Sequence, residues 1–171
     1  MEGFLNPEKV LKQLKLKKDV IAVDFGSGSG GWVLPLAKSL KEGEVYAIDI
    51  LEEPLSALKS KARIEEISNI ETILSDIEKG SKLKESSCDL VLMTNLLFEI
   101  KDKEKVFSEA KRVLRAKGKI LVVDWKKDSV LGPKQDRVSS EEVKGLAKKL
   151  GLKAKEEFEA GLYHWGLILV K

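Results

Sequence analysis

The chain has 171 residues, 43% of them hydrophobic and 35% charged, which is enough for one globular domain with a sizeable core. Its net charge of +3 is too small to indicate binding to nucleic acid or to a membrane, and a lone cysteine, Cys88, excludes an internal disulfide bond and a cysteine zinc site. Because the sequence shows neither a signal peptide nor a membrane-length apolar run, we expect a cytoplasmic protein.

The first predicted element is a short helix that begins at Asn6-Pro7-Glu8. Asparagine is a favoured helix cap, proline suits the first helical position, and glutamate suits the positively charged end. We expect this helix, within residues 1–19, either to pack on a sheet or to cover the ligand edge of that sheet.

The next stretch predicts a strand, a tight turn and a helix N-terminus. Val20 to Phe25 form an apolar run rich in β-branched residues, which is typical of a buried strand. Four glycines follow within six positions: Gly26, Gly28, Gly30 and Gly31. Glycines allow a ligand to approach the backbone, and the helix after them offers unpaired N–H groups. We therefore expect an anionic or carboxylate-bearing ligand at this turn.

The rest of the chain alternates between predicted strands and helices. The further strands are predicted at Glu44–Asp49, Ile70–Leu74, Asp89–Met93, Lys119–Asp124, Lys153–Phe158 and Tyr163–Val170. The helices between them are predicted at 33–40, at 54–67, from about 106 to a stop at Gly118, and from Ser139 to Leu150. This alternation predicts an α/β fold with a parallel sheet and helices on both faces. The last two strands are joined by a turn at Ala160-Gly161, which is too short for a crossover, so they pair antiparallel.

Polar residues stand at the carboxyl ends of the first five predicted strands: Asp24, Asp49, Asp76, Asn95 and Trp125. In a doubly wound sheet, ligands bind at this edge. A carboxylate there can accept hydrogen bonds from ribose hydroxyls, from an adenine amino group or from an ammonium group. Three successive strands that end in aspartate therefore predict the ligand site.

Two families use a glycine loop of this kind. Gly26-x-Gly28-x-x-Gly31, with Asp49 about 20 residues later, fits the dinucleotide fingerprint. Asp24-x-Gly26-x-Gly28-x-Gly30 resembles motif I of the class I S-adenosylmethionine-dependent methyltransferases. Asp24 favours the second interpretation, because a carboxylate attracts the methionine ammonium group and repels a pyrophosphate. An NAD(P)-dependent oxidoreductase stays open as the alternative.

The resemblance to small single-domain methyltransferases, of the type 11 and type 25 kind, covers most of the chain. The stretches 88–95 and 112–119 also resemble family motifs, although Ala116-Lys117 replaces a frequent Pro-Gly pair. The resemblance implies a Rossmann-like doubly wound sheet of seven strands with an antiparallel last strand, in one domain spanning 1–171. It implies S-adenosylmethionine as the cofactor, and no metal.

The same resemblance assigns the cofactor residues. Motif I would surround the methionine portion through Asp24, Phe25, Gly26, Ser27, Gly28 and Gly30. The acids after the next two strands would hold the ribose hydroxyls and the adenine amino group, each with an isoleucine against the adenine: Asp49 with Ile50, and Asp76 with Ile77. Asn95 stands in the motif after the fourth strand and completes this predicted site.

Candidates for the acceptor site follow from topology. The sixth strand ends at the ligand edge and the seventh begins there, which brings Tyr163 and His164 close to the site. His164, the single histidine, is a candidate base or hydrogen-bonding group. Trp125 would stack on a flat substrate or form a wall, and Arg137 and Lys134 would clamp an anionic substrate.

The acceptor is expected to be a small molecule. Asn95-Leu96-Leu97-Phe98 is not the Asn-Pro-Pro-Tyr pattern of enzymes that methylate amide or adenine nitrogen, and no Pro-Cys pair supports attack on cytosine. We expect no second domain that would recognise a nucleic acid or a protein. The chain resembles small-molecule methyltransferases such as the quinone-biosynthesis and arsenite types. The arsenite type needs several cysteines, which this chain lacks. A non-catalytic domain that binds S-adenosylmethionine is the third interpretation.

Overall fold

The fold is one seven-stranded sheet between two layers of helices, in a computed structural model that describes residues 3–171. The helices are α1 (Pro7–Gln13), α2 (Val33–Ser39), α3 (Glu52–Ile64), α4 (Lys103–Val113) and α5 (Ser140–Lys149). The strands are β1 (Ile21–Phe25), β2 (Glu44–Asp49), β3 (Ile70–Leu74), β4 (Cys88–Thr94), β5 (Leu114–Trp125), β6 (Lys153–Gly161) and β7 (His164–Val170).

The strands are arranged in the order β3-β2-β1-β4-β5-β7-β6. Strands β1 to β5 pair in parallel, whereas β7 is antiparallel to both of its neighbours. β6 therefore runs in the same direction as β5 and ends at the carboxyl edge. The predicted doubly wound sheet of seven strands with an antiparallel last strand is confirmed.

Each face of the sheet has its own buried cluster. Helices α1, α2 and α3 cover one face, where Leu11, Leu36 and Leu58 pack with Leu121 of β5. Helices α4 and α5 cover the other, which includes Phe107. No helix within residues 3–171 combines the length and the apolar character that crossing a membrane requires.

The segment before α1 reaches the carboxyl edge of the sheet. Asn6 caps α1 as predicted, and the helix packs against α2. Upstream of the cap, the Gly3 carbonyl accepts a hydrogen bond from the Leu162 N–H at 2.7 Å. The Phe4 and Tyr163 ring centroids are 5.9 Å apart. Thus α1 packs on one face, while residues 3–5 lie beside the turn between β6 and β7.

The predicted end of the fourth helix at Gly118 is wrong. Helix α4 ends at Val113, and β5 begins at the next residue, Leu114. Strand pairing is the cause, because the Ser87 N–H donates to the Val113 carbonyl at 2.8 Å and Cys88 pairs with Leu114. The backbone joins the sheet before the helical pattern of the sequence has ended.

The predicted turn between the last two strands is also displaced. β6 continues beyond Phe158 to Gly161, so the turn is Leu162-Tyr163 rather than Ala160-Gly161. β6 extends to Gly161 because Gly161 pairs with His164, the first residue of β7.

Candidate functional site

The glycine loop is anchored to the neighbouring strand and open toward the carboxyl edge. The N–H groups of Gly26 and Ser27 both donate to the Ile48 carbonyl, at 2.9 and 2.8 Å. Gly26 and Gly28 have φ angles of 73° and 52°, a region that favours glycine. A Cβ atom at Gly28 would meet no atom within 4 Å. The loop can therefore present its backbone to a ligand at Gly28, while Phe25 beneath it is fully buried in the core.

Three side chains at the ends of β1 and β4 have buried polar atoms without a partner in the part of the chain that the structure describes. Asp24 is 0% exposed, and within residues 3–171 neither of its carboxylate oxygens has a hydrogen-bond partner. The Ser27 Oγ and Asn95 Oδ1 atoms are also buried and have no hydrogen-bond partner within that part of the chain. A buried polar group without a partner costs about 1–3 kcal/mol, and a charged one costs more. These groups are suited to a ligand that supplies their hydrogen bonds.

The ionisation of Asp24 is sensitive to what lies against it. Burial, and secondarily the nearby charge of Asp49, hold the pKa of Asp24 well above its ordinary value. A cationic ligand group beside this carboxyl would stabilise the ionised form and lower its pKa. The site around Asp24 is therefore chemically suited to an ammonium group.

Asp49, at the end of β2, holds the glycine loop in place. Its Oδ2 atom accepts the Gly28 N–H at 2.8 Å, and its Oδ1 atom accepts the Leu51 N–H at 3.0 Å. Each carboxylate oxygen can accept more than one hydrogen bond, so both remain able to accept from ligand hydroxyls. The adjoining side chain of Ile50 is 62% exposed, which leaves an apolar surface beside this acid.

Asp76, after β3, is already paired. Its Oδ1 atom accepts the Glu78 N–H at 3.0 Å, and its Oδ2 atom lies 3.1 Å from the Lys79 ammonium. The hydrogen bond from Lys79 lowers the pKa of Asp76, so the carboxyl is ionised at neutral pH. The neighbouring Ile77 is buried in the core and also lines a cleft at the carboxyl edge.

A cleft of about 360 Å³ joins these elements. Seven of the eleven predicted cofactor residues line it: Gly26, Gly28, Asp49, Ile50, Asp76, Ile77 and Asn95. The other four predicted residues do not line it: Asp24, Phe25, Ser27 and Gly30. The cleft also has lining residues that the sequence did not indicate, and no motif marks them: Ile48, Leu51, Pro54, Ser75, Glu78, Leu96, Glu99 and Ile100.

Trp125 and His164 form a pair farther along the same edge. They face each other across β5 and β7, with ring centroids 4.0 Å apart and ring planes tilted by 42°. His164 is 5% exposed, and neither of its ring nitrogens has a hydrogen-bond partner within residues 3–171. Burial, aided by the charge of Lys126, lowers the pKa of His164 to about 4. The imidazole is therefore neutral at pH 7.

The Arg137 guanidinium group binds carbonyl oxygens of its own loop, whereas the sequence predicts that it clamps an anionic substrate. Its Nη1 atom donates to the Ser129 carbonyl at 2.6 Å, its Nη2 atom to the Leu131 carbonyl at 2.7 Å, and its Nε atom to the Pro133 carbonyl. The guanidinium group thus closes the loop between β5 and α5, because that loop's carbonyl oxygens converge on it. Lys134, on the same loop, is exposed.

Asp124 is a buried acid at the carboxyl edge that the sequence analysis did not single out. It is fully buried, and its two carboxylate oxygens accept the N–H groups of Leu97 at 2.9 Å and Trp125 at 2.8 Å. It thereby ties the segment after β4 to the end of β5. The signal was present, because Asp124 ends an apolar strand as Asp24 and Asp49 do.

The fold and the site define a class of protein. Residues 16–161 match the family model described as "Methyltransferase domain", so the chain belongs to this family. Its structure resembles that of a SAM-dependent methyltransferase from Aquifex aeolicus, with a TM-score of 0.90 and 30% identity over 97% of this chain and 89% of that one. The predicted resemblance to class I methyltransferases is confirmed. The family match also decides against the oxidoreductase interpretation of the glycine loop.

The curated relatives match this chain over a smaller share of their own length. The demethylmenaquinone methyltransferase of Geobacillus sp. (strain WCH70) is 23% identical over 129 residues, which are 75% of this chain and 55% of the relative. The enzyme of the same name from Staphylococcus aureus (strain MRSA252) is 27% identical over 154 residues, 89% of this chain and 63% of the relative. The chain therefore spans little more than half the length of these relatives.

Proposed function

We propose that this chain transfers a methyl group from S-adenosylmethionine to a small-molecule acceptor and releases S-adenosylhomocysteine. The observation that carries the proposal is the buried Asp24 carboxyl, which has no partner within residues 3–171 and lies beside an open glycine loop. An ammonium group is the ligand feature that satisfies it. S-adenosylmethionine carries such a group on its methionine portion.

The chain's residues fit the rest of this cofactor. Asp49 keeps acceptor capacity for the ribose hydroxyls, and the exposed Ile50 offers an apolar surface for the adenine. Asp76 accepts from the adenine amino group, opposite Ile77. Asn95 turns its backbone into the left-handed region, with a φ angle of 50°, and lines the cleft with an amide oxygen that has no protein partner within residues 3–171.

When bound, S-adenosylmethionine supplies an activated methyl group on its sulfonium. The protein's part is then to hold the cofactor and the acceptor in alignment and to exclude water, which provides most of the rate. A base is required only where the acceptor atom is protonated at the working pH. Because its pKa is about 4, His164 acts as a hydrogen-bonding group rather than a strong base.

The acceptor side is a small organic molecule rather than a nucleic acid or a membrane surface. The relatives are named for action on demethylmenaquinone, a small molecule, and the net charge of +3 gives no strongly basic surface. Trp125, Tyr163 and His164 are the acceptor-side residues in this proposal. We place the protein in the cytoplasm.

The test is calorimetric titration of the protein with S-adenosylmethionine, S-adenosylhomocysteine and NADH in parallel. Micromolar binding of the first two and none of NADH is the expected result. Binding of NADH alone would overturn the proposal. A non-catalytic domain would bind the cofactor yet form no S-adenosylhomocysteine when supplied with mixed small-molecule acceptors.

A further inference from the structure

We propose that Trp125 and His164 form an acceptor subsite that selects an uncharged, planar molecule bearing a hydroxyl or amino group over an anion. The inference rests on the proposed methyl transfer and adds the class of acceptor. Four features of the structure carry it: the position of the pair, the bonding capacity of His164, the charges around the pair, and the apolar rim.

The pair lies on the same face of the sheet as Asp24. Asp24 pairs in register with Leu92, and Leu92 pairs with Leu121, so their side chains share the face that α1 and α2 cover. Trp125 is four residues beyond Leu121 on β5, and side chains two apart on a strand share a face. Three strand spacings of about 4.8 Å separate β1 from β7, and His164 lies four residues, about 13 Å, beyond the register of Asp24, so the two residues are about 19 Å apart. The pair therefore lies at the same edge and on the same face of the sheet as Asp24.

The bonding capacity of His164 defines the polar part of the ligand. A neutral imidazole offers one N–H donor and one acceptor nitrogen. Both nitrogens of His164 are buried and have no partner within residues 3–171. A hydroxyl or amino group can accept from the first nitrogen and donate to the second. The Trp125 ring packs beside the imidazole, and the part of the indole that remains exposed offers an aromatic surface to a planar ligand.

The charges around the pair disfavour a buried anion. Lys126, whose charge acts on His164, has its ammonium group 2.8 Å from the carboxylate of Glu159. All three guanidinium nitrogens of Arg137 donate to carbonyl oxygens of its own loop. Asp124, next to Trp125 in the sequence, accepts two backbone N–H groups and adds no positive charge. Burying a carboxylate here would lack the ion pair that such burial requires.

The rim around the pair is apolar. Phe4 is 53% exposed and lies against Tyr163, and Leu162 in the β6–β7 turn is 60% exposed. On the other side, the loop passes over Trp125 so closely at Gly132 that a Cβ atom there would collide with the indole ring. Leu131, next to it, is 43% exposed. Apolar walls with few polar groups are typical of sites for uncharged organic ligands.

The test is to titrate 2-naphthol and 2-naphthoate into the protein saturated with S-adenosylhomocysteine. The two probes share a ring and differ in charge. We expect 2-naphthol to bind at least tenfold more tightly than 2-naphthoate. Equal binding of both, or tighter binding of 2-naphthoate, would overturn the inference.

Two variants separate recognition from folding. His164→Leu should lose at least tenfold in affinity for 2-naphthol, whereas His164→Gln, which keeps a donor and an acceptor, should retain most of it. The melting temperature of His164→Leu should stay equal or rise, because an imidazole with no hydrogen-bond partner within residues 3–171 is removed. Lys155→Ala, on the exposed side of β6, is the matched control. Unchanged 2-naphthol affinity in a folded His164→Leu protein would refute the subsite.

The failure of this inference can be told apart from that of the proposed function. Absence of S-adenosylhomocysteine binding would contradict the methyltransferase proposal. The ratio of 2-naphthol to 2-naphthoate affinity, measured on the cofactor-free protein, would still decide whether the pair selects an uncharged ring.

Discussion

Two loops at the carboxyl edge satisfy their polar groups in opposite ways. In the glycine loop after β1, the Asp24 carboxyl and the Ser27 hydroxyl are buried without partners within residues 3–171. In the loop after β5, all three guanidinium nitrogens of Arg137 donate to carbonyl oxygens of that same loop. The first loop leaves hydrogen-bonding groups for a ligand, which is the basis of the proposed function, and the second loop satisfies its own groups.

This difference is the reason why we propose that the first loop binds a ligand and that the second has a structural role. Buried polar groups without partners cost stability, so a fold keeps them where a ligand repays the cost on binding. A self-satisfied cation, in contrast, has little left to offer a substrate.

The largest effect is expected for Asp24→Asn. The substitution keeps the shape of the side chain and removes its charge, so it should weaken S-adenosylmethionine binding by about 2–5 kcal/mol, at least about 30-fold. The cofactor-free protein should become more stable, because the buried carboxyl is lost. Calorimetry and urea unfolding measure the two changes. Affinity equal to that of the wild type would remove Asp24 from the site.

The second effect concerns pH. The pKa of His164 is about 4 in the folded protein, against an ordinary value of 6.5. The unfolded chain therefore takes up a proton first as the pH falls, and this contribution to stability, present in full above about pH 6.5, is lost toward pH 4. Its size is at most about 3 kcal/mol. His164→Gln should remove it.

The measurement is the free energy of unfolding in urea at about pH 7 and about pH 4.5, for both proteins. Asp24, whose pKa is raised by burial, has the opposite effect, because it stabilises the cofactor-free protein as the pH falls. The difference between the wild type and His164→Gln isolates the histidine. Parallel pH profiles for the two proteins would show that His164 is not held neutral.

Asp49→Ala is expected to weaken S-adenosylmethionine binding by roughly 1–3 kcal/mol. The variant removes the acceptor for ligand hydroxyls and also releases the Gly28 N–H that positions the loop. Asp49→Asn, which keeps one acceptor oxygen, should lose less. Calorimetric titration gives the S-adenosylmethionine affinities of the wild type and the two variants. Unchanged affinity in the alanine variant would contradict the ribose assignment.

The smallest effect is expected for Arg137→Ala, which sharpens the contrast between the loops. Losing the hydrogen bonds that close a surface loop should lower the free energy of unfolding by about 1–2 kcal/mol. S-adenosylmethionine affinity should stay within about twofold of the wild type, which is about 0.4 kcal/mol. A large loss of cofactor affinity would show that the two loops are not independent.

Part of the proposed cofactor site lies together, as the sequence predicts, because parallel strands align their ends. Asp49, Asp76 and Asn95 each follow an apolar run, and the structure brings all three to one cleft. Leu96 and Glu99 line the same cleft without any pattern to mark them, since they lie in an irregular segment after β4. The hydrogen bonds of Arg137 could not be predicted either, because its partners are backbone carbonyls, which every residue carries.

By itself, the sequence determined the order of the elements, the glycine loop and the acids at the strand ends, because periodicity and turn chemistry are local properties. The tertiary structure decided where α4 ends, since pairing between Ser87 and Val113 overrode the helical pattern. It also decided that Asp24 lacks a hydrogen-bond partner among residues 3–171 and that Arg137 has several. Whether a polar group is satisfied depends on atoms brought together from distant parts of the chain, and only the folded chain fixes their positions.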